Sequence, residues 1–410
     1  MVTIAFLATA FFVLIWLQAL AWVWHAIATR RGMATLPDLT RIDPETLPQL
    51  CGEDAYDLTV VVPACNEEKS IEATLRALLA STGVRLEIIA VNDRSTDTTG
   101  ERMDYVAAEA ASVDGPHRLR VLHIKELPAG WLGKPHAMAM AAREATARWL
   151  LFTDSDVVFK PRALELALRH AEAEKADHLV LLPTVVLETW GEAASLGAMN
   201  VLGGWTIRLW KVADPRARDS IGVGAFNLIR RQVYESIGGF EAMKMEVVED
   251  LRLGWLVKQG GFAQHVAVGP HLASIRWLQG AFAVVRAAEK NAFAIYRYRV
   301  GITLLASLGL AVQIVCPLLA IGFGGLSMAA GLLTYAAIAA TYAANRRTTL
   351  VPPWHALLFA PAATVALYAL LRSMVLTLIR NGVMWRGTLY PLEELRRNAG
   401  TLWGSGKKAR

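Results

Sequence analysis

The chain has 410 residues, of which 54% are apolar and 19% charged, and a net charge of +6. That is enough for a sizeable core and several membrane spans, and too apolar for a wholly soluble protein. No basic stripe with interleaved aromatics lies in the less apolar middle, which argues against nucleic acid as a partner. The three cysteines, Cys51, Cys65 and Cys316, have neither a disulfide pattern nor metal-ligand spacing, so the middle reads as cytosolic.

From Val2 to about Thr29 there is no Asp, Glu, Lys or Arg. Such a run spans a bilayer as a helix, so residues 1–30 are expected to form a transmembrane anchor. Ala19-Leu20-Ala21 resembles a cleavage site. The long apolar run, the missing basic n-region and the following Arg30-Arg31 favour a retained anchor, with the next segment inside. Residues 31–57, with Pro37, Pro44 and Pro48, read as a linker.

Residues 58–271 alternate strand and helix patterns. Leu58 to Pro63, Leu86 to Val91, Leu119 to Ile124 and Trp149 to Phe152 are expected strands. Residues 70–80, 97–111 and 134–147 are expected helices. This alternation implies an α/β fold with a mostly parallel sheet, whose ligands sit at the carboxyl ends of the strands. Residues 272–300 mix Trp277, Phe282, Val285, Phe293 and Ile295 with Arg276, Arg286, Lys290 and Arg297, the pattern of an amphipathic interface helix.

Within 301–378, three hydrophobic segments follow, near 302–322, 325–344 and 354–378. Residues 379–410 are a basic tail that includes Arg380, Arg386, Arg396, Arg397, Lys407, Lys408 and Arg410. An anchor plus three full spans puts this tail outside, whereas its charge favours inside. Either one segment only dips into the membrane or the charge rule fails here. Arg372 weakens the last segment most.

Polar groups gather at the strand ends. Asp154 and Asp156 follow the fourth strand in Phe152-Thr153-Asp154-Ser155-Asp156-Val157 and could hold a divalent ion together with a diphosphate. A solvated turn is the alternative for Asp-x-Asp alone. After the second strand comes Asn92-Asp93-Arg94-Ser95-Thr96-Asp97, where an acid could meet a ribose or base. Asp97 is expected to cap the next helix. Asn66-Glu67-Glu68 ends the first strand, and Gly130 to His136 puts Lys134 beside a helix start, where it could neutralise phosphate. Glu249 and Asp250 head an apolar helix; either could complement its dipole or serve as a general base.

As an ordered set over roughly residues 58–260, these motifs resemble the family 2 glycosyltransferases. The matching pieces are Val61 to Glu68, Asn92 to Asp97, Gly133-Lys134 with Ala137, Asp154-Ser155-Asp156, Gly224 with Phe226, and Glu249-Asp250. The membrane layout resembles the branch that includes hopanoid-associated, carotenoid and ceramide glycosyltransferases, as does the tail piece Gly382 to Gly387 with Tyr390. The resemblance implies a GT-A fold, a nucleotide-sugar donor such as a UDP-sugar, Mg²⁺ or Mn²⁺, and single-step inversion. It also implies hexose transfer to a hopanoid, isoprenoid or similar membrane lipid. The enzyme would be a multi-pass protein of the inner (plasma) membrane, with its catalytic domain on the cytoplasmic face. It puts Glu67 and Asp93 at the nucleoside, Asp154 at the donor, Asp156 at the metal and Asp250 in the role of base, with Glu249 as rival.

Two positions depart from the family pattern. Asn92 stands where many members carry Asp. Ala273 replaces the Gln of the Gln-x-x-Arg-Trp motif of processive members, although Arg276-Trp277 remain as a candidate acceptor platform or interface anchor. A processive polysaccharide synthase and a non-catalytic membrane scaffold are the competing readings.

Overall fold

The computed structural model describes residues 2–50, 55–277, 279–280 and 282–399. Cys51 and the tail residues Lys407, Lys408 and Arg410 lie outside the described residues. The chain divides into two units. One comprises Leu36–Val186 and Leu209–Trp277, and the other holds the residues up to Thr35, Leu187–Arg208 and the described residues from 279 onward.

The first unit is built on β1 (Leu58–Ala64), β2 (Leu86–Asp93), β3 (Arg118–Ile124), β4 (Trp149–Phe152), β5 (Val157–Phe159), β6 (His178–Leu182), β7 (Thr184–Val185), β8 (Asn227–Arg230), β9 (Gln264–Val268) and β10 (Ala273–Ile275). Seven of these form one sheet in the order β3-β2-β1-β4-β8-β6-β9. Strand β8 runs antiparallel to both neighbours, and every other pairing in the sheet is parallel. All seven residues of β1 are buried, as a central strand covered on both faces requires, which explains its unbroken apolar run. Pro63 costs no ladder bond on the β4 side, because β4 pairs with β1 only as far as Val61.

Three expectations about organisation change. The segment 31–57 is not a free linker beyond Leu36. Leu39 is buried, its N–H donates to the Val268 carbonyl at 2.8 Å, and the Val268 N–H donates to the Pro37 carbonyl at 2.8 Å. The buried Arg169 guanidinium donates to the carbonyls of Pro44, Leu47 and Pro48 and pairs with Glu165 at 2.7 Å. Its fork of donors thus satisfies a stretch of backbone that has no strand partner.

The segment 272–300 is not one helix. Ala273–Ile275 is β10, in a three-stranded sheet of order β5-β10-β7, and the helix runs only over Ala283–Ile295. A strand is equally compatible with short apolar–polar alternation, and Gly280, at φ 91°, breaks the chain between the two elements. Residues 187–208, which the alternation assigns to the α/β region, belong to the other unit.

In that second unit, among the described residues, four helices are long and apolar enough to cross a membrane: Phe6–Met33, Val300–Phe323, Gly325–Thr349 and Pro353–Ile379. The first is stitched to the second by polar contacts. Gln18 Nε2 and Trp22 Nε1 each donate to Gln313 Oε1 at 2.8 Å, the kind of interhelical hydrogen bond that joins apolar helices. Helix Trp190–Gly203 begins with a capping box made by Thr189 and Glu192. Arg372 does not interrupt the last apolar segment as an isolated charge. It donates to Glu289 at 2.5 Å, and Arg380 reaches the other oxygen of the same carboxylate at 2.7 Å. Both guanidiniums hold that carboxyl below its usual range. Strands β11 (Gly382–Trp385) and β12 (Thr388–Pro391) form a hairpin after this helix.

Candidate active site

The carboxyl ends of β1, β2 and β4 carry the polar loops. Two of these loops are zipped together. Asn66, at φ 58°, donates its N–H to Ser95 Oγ at 3.0 Å and accepts the Thr96 N–H at 2.8 Å. The Glu67 N–H donates to Thr99 Oγ1 at 2.8 Å, and Glu68 accepts from the Thr98 hydroxyl at 2.8 Å. Asp97 accepts the Thr99 N–H at 3.0 Å, at the head of helix Thr99–Ala111. Glu67 is thereby fixed beside the Ser95–Thr99 loop, with Ser70 Oγ on its carboxylate at 3.2 Å. Asn92 is held by His123 at 3.1 Å and by the Ser95 N–H at 3.3 Å, contacts that suit an amide.

Asp93 is buried and takes a two-pronged contact from Arg94 at 2.7 and 3.1 Å. Gly133, the first residue of helix Gly133–Glu144, lies against this pair so closely that a Cβ there would collide with the Asp93 carboxylate and with Arg94. This brings Asp93 next to the helix start that presents Lys134. The Lys134 ammonium lies 2.6 Å from Asp154 Oδ1 and 2.5 Å from Glu249 Oε1. Burial alone would lower its pKa, but Asp154, Glu249 and Asp250 outweigh burial and hold it well above the usual lysine range.

Asp250 accepts two backbone N–H groups, Gly224 on Oδ2 at 3.0 Å and Leu251 on Oδ1 at 2.8 Å. Burial and then the Glu249 charge push its carboxyl up, against the pull of Lys134. Gly224 in turn accepts the Asp154 N–H at 3.0 Å. Asp156 opens β5. Burial, then the charges of Asp154 and Glu67, push its carboxyl up to about 6. The structure therefore gathers Glu67, Lys134, Asp154, Asp156, Glu249 and Asp250 into one electrostatically coupled group, beside Asp93. Arg276 and Trp277 follow directly on β10. The antiparallel register, Ile275 opposite Val157, carries Arg276 to the end of the small sheet where Asp156 stands.

Among the described residues, no three His, Cys, Asp or Glu side chains form a ready metal cage. The donor set nevertheless fits Mg²⁺ or Mn²⁺, which prefer oxygen and fill out their shell with phosphate and water. Asp156 is an oxygen donor whose ionised form is disfavoured by burial and then by two neighbouring carboxylates, and a cation would offset both.

A layer behind the site has no counterpart in the sequence motifs. The two Nε2 hydrogens of Gln264 are shared among His178 Nδ1 at 2.8 Å and the carbonyls of Ile221 at 2.9 Å and Gly254 at 3.1 Å, while its Oε1 accepts the Ile221 N–H at 3.3 Å. His178 Nε2 lies 3.2 Å from Asn227 Oδ1, which also accepts the Val223 N–H. Burial depresses His178 to about 4, so it is neutral and can present both a donor and an acceptor. These buried amides fasten the loop 221–224, whose Gly224 N–H donates to Asp250. A lone polar residue in an apolar strand pattern, such as Gln264 or Asn227, was the available signal.

Parallel strands, one reversed strand between β4 and β6, and a cluster of acids at the strand ends define a GT-A domain. Residues 59–238 match the family model described as Glycosyl transferase family 2, and this domain belongs to that family. The chain is 24% identical over 201 residues to 4,4'-diaponeurosporenoate glycosyltransferase of Staphylococcus aureus, a match covering 48% of this chain and 50% of the relative. The chain thus spans about half the length of the curated relatives it matches. Among solved structures, it is similar to mannosyltransferase PcManGT from Pyrobaculum calidifontis in complex with GDP-Man and Mn²⁺. That match has 18% identity and a TM-score of 0.47, over 89% of this chain and 99% of that one. TarS of S. aureus is a further match, with 17% identity and a TM-score of 0.38, over 58% of this chain and 39% of that one.

Proposed function

We propose that the protein is a membrane-bound inverting glycosyltransferase that moves a hexose from a nucleotide-sugar donor, a UDP-sugar in the first instance, onto a membrane lipid of hopanoid, isoprenoid or carotenoid type at the cytoplasmic face. The family of the domain, the curated carotenoid-modifying relatives and the four membrane-length helices support this reading. The observation that carries it is the convergence of Asp154, Lys134, Glu249 and Asp250 through one lysine and one glycine.

Glu67 and Asp93 flank the nucleoside, with Arg94 orienting the Asp93 carboxylate. Asp154 and Lys134 meet the donor sugar and diphosphate. Asp156, with Asp154, would hold Mg²⁺ or Mn²⁺, which when bound offsets charge on the departing diphosphate. Asp250 takes the proton of the acceptor hydroxyl while that oxygen bonds to the anomeric carbon and the carbon–phosphate-oxygen bond breaks, its electron pair leaving with the nucleoside diphosphate. A carboxyl raised by burial is a better base than an ordinary one. Glu249, paired with Lys134, orients the lysine.

The full chain in lipid nanodiscs, given radiolabelled UDP-sugars and a bacterial lipid extract, is expected to yield a labelled lipid carrying one or a few sugars. Chelation should stop the transfer and Mn²⁺ or Mg²⁺ should restore it. A long polysaccharide made from donor alone would overturn the reading in favour of a synthase. Donor binding without any lipid product would leave a scaffold.

A further inference from the structure

The hairpin that follows the last membrane-length helix has two unlike faces. On one, Val383 and Tyr390 are buried opposite each other, and Trp385 lies under the Lys290 ammonium at 4.0 Å. On the other, the directly opposed pair Met384 and Leu389 is 44% and 46% exposed. Its tip is Arg386-Gly387, with φ of 49° and 79°. Such two-residue turns favour Asn-Gly or Gly-Gly, because the left-handed region costs an ordinary side chain on the order of 1 kcal/mol.

The height of the hairpin follows from chain geometry. Helix Phe359–Ile379 has 21 residues, so it is about 31 Å long, close to the hydrocarbon thickness of a bilayer. Gly382 comes three residues after Ile379, a step of at most about 10 Å. If the helix spans, the hairpin lies in the headgroup layer. Residues 379–399 carry Arg380, Arg386, Arg396 and Arg397 against Glu393 and Glu394; Arg380 is paired with Glu289 and Arg397 with Glu393, and the segment keeps a net positive sign, which suits anionic lipid.

We propose that this hairpin is an interfacial reader of the bilayer. Met384 and Leu389 sit at the boundary of headgroups and acyl chains, and Arg386 lies among lipid phosphates. An exposed apolar pair on an otherwise marginal two-stranded sheet is stabilised there, and a long cationic side chain at the tip reaches the phosphates. The proposal rests on the membrane reading of the four helices, and the test separates the two.

An environment-sensitive fluorescent amino acid is placed by codon suppression at position 384, at 305 on an exposed face of helix Val300–Phe323, or at 105 on helix Thr99–Ala111 as an aqueous control. The full chain is reconstituted in phosphatidylcholine vesicles carrying nitroxide lipids labelled near the headgroup or deep in the chain. The probe at 384 is expected to shift to the blue and to be quenched several-fold more by the shallow nitroxide than by the deep one, and the probe at 305 the reverse. Adding phosphatidylglycerol should strengthen the quenching at 384, and Arg386→Gln should remove that increment alone. A probe at 384 that behaves like the one at 105, while 305 is quenched, overturns the proposal. So does a blue shift at 384 that depends on protein concentration and ignores the nitroxides, which would mean pairing with a second copy. Loss of quenching at 305 as well would overturn the membrane reading itself.

Discussion

The peptide unit of Gly224 stands between two carboxylates: its N–H donates to Asp250 Oδ2 at 3.0 Å, and its carbonyl accepts the Asp154 N–H at 3.0 Å. One residue thus sets the spacing between Asp154 and Asp250, the proposed donor and base sides of the site. A Cβ at this position would come 2.6 Å from Asp154 Oδ2. Gly224→Ala is expected to cut kcat by about 10²-fold, the usual effect of a misplacement near 1 Å. Steady-state transfer rates beside a thermal melt check it, and unchanged kcat would show that the spacing is not set here.

Asp250→Asn is expected to lower transfer by roughly 10²–10⁴-fold, the span of a lost general base, while donor affinity by calorimetry stays within a few-fold of wild type. Glu249→Gln releases Lys134 from one partner and should weaken donor binding more than it slows chemistry. Substantial residual transfer by Asp250→Asn, with Glu249→Gln inactive, would exchange the two roles.

The acid limb of kcat/KM should follow the Glu249–Asp250 pair. Burial and the neighbouring charge raise Asp250 to about 6, and a base works only when ionised. The rate should therefore fall about tenfold per pH unit below about pH 6, with an apparent value belonging to the pair. A plateau extending down to the ordinary carboxylate value near 4 would show that no raised carboxyl limits the reaction.

Asp156 makes the opposite kind of prediction, about stability. Its folded pKa is raised to about 6, so its contribution is fully favourable below the unfolded value near 4 and is lost as pH rises through 6. At pH 7.5, without divalent ion or donor, Asp156→Asn should stabilise the protein by about 1–2 kcal/mol after solvent screening, a Tm gain of a few degrees. The gain should vanish at pH 4, and transfer should be lost. Equal melting of the two proteins at both pH values would remove the repulsion from the account.

Gln264 touches no carboxylate of the site, yet it ties Ile221, Gly254 and His178 together. Gln264→Leu leaves these groups unpaired, at a cost of about 2–4 kcal/mol, and frees the loop that ends on Gly224. Transfer by molecules that remain folded should fall well below wild type, with donor affinity nearly kept. Wild-type kcat despite a lowered Tm would confine Gln264 to stability.

Much of this was legible in the sequence, for a local reason. β1 is a continuous apolar run because both of its faces are covered, and the acids after β1, β2 and β4 stand out against such runs. What could not be read depends on distant partners. β8 has strand propensity, but its reversed direction is set by neighbours β4 and β6. Residues 36–50 are polar and proline-bearing like a linker, and only distant partners, Arg169 and Val268, make them part of the domain. Lys134 stands out in the sequence as a candidate phosphate-neutralising group, but its two carboxylate partners, Asp154 and Glu249, lie far apart in sequence.

The bond between Gln18 and Gln313 has a consequence for how the chain is made. Its two ends are 295 residues apart, so at ribosomal speed the first helix waits roughly 15–60 s for its partner. Throughout that interval the Gln18 amide and the Trp22 indole lack the Gln313 oxygen that later accepts from both. On the proposed membrane reading, their early lodging is a watery or protein-lined one, such as the insertion machinery, and the first helix settles into apolar surroundings only when the second arrives.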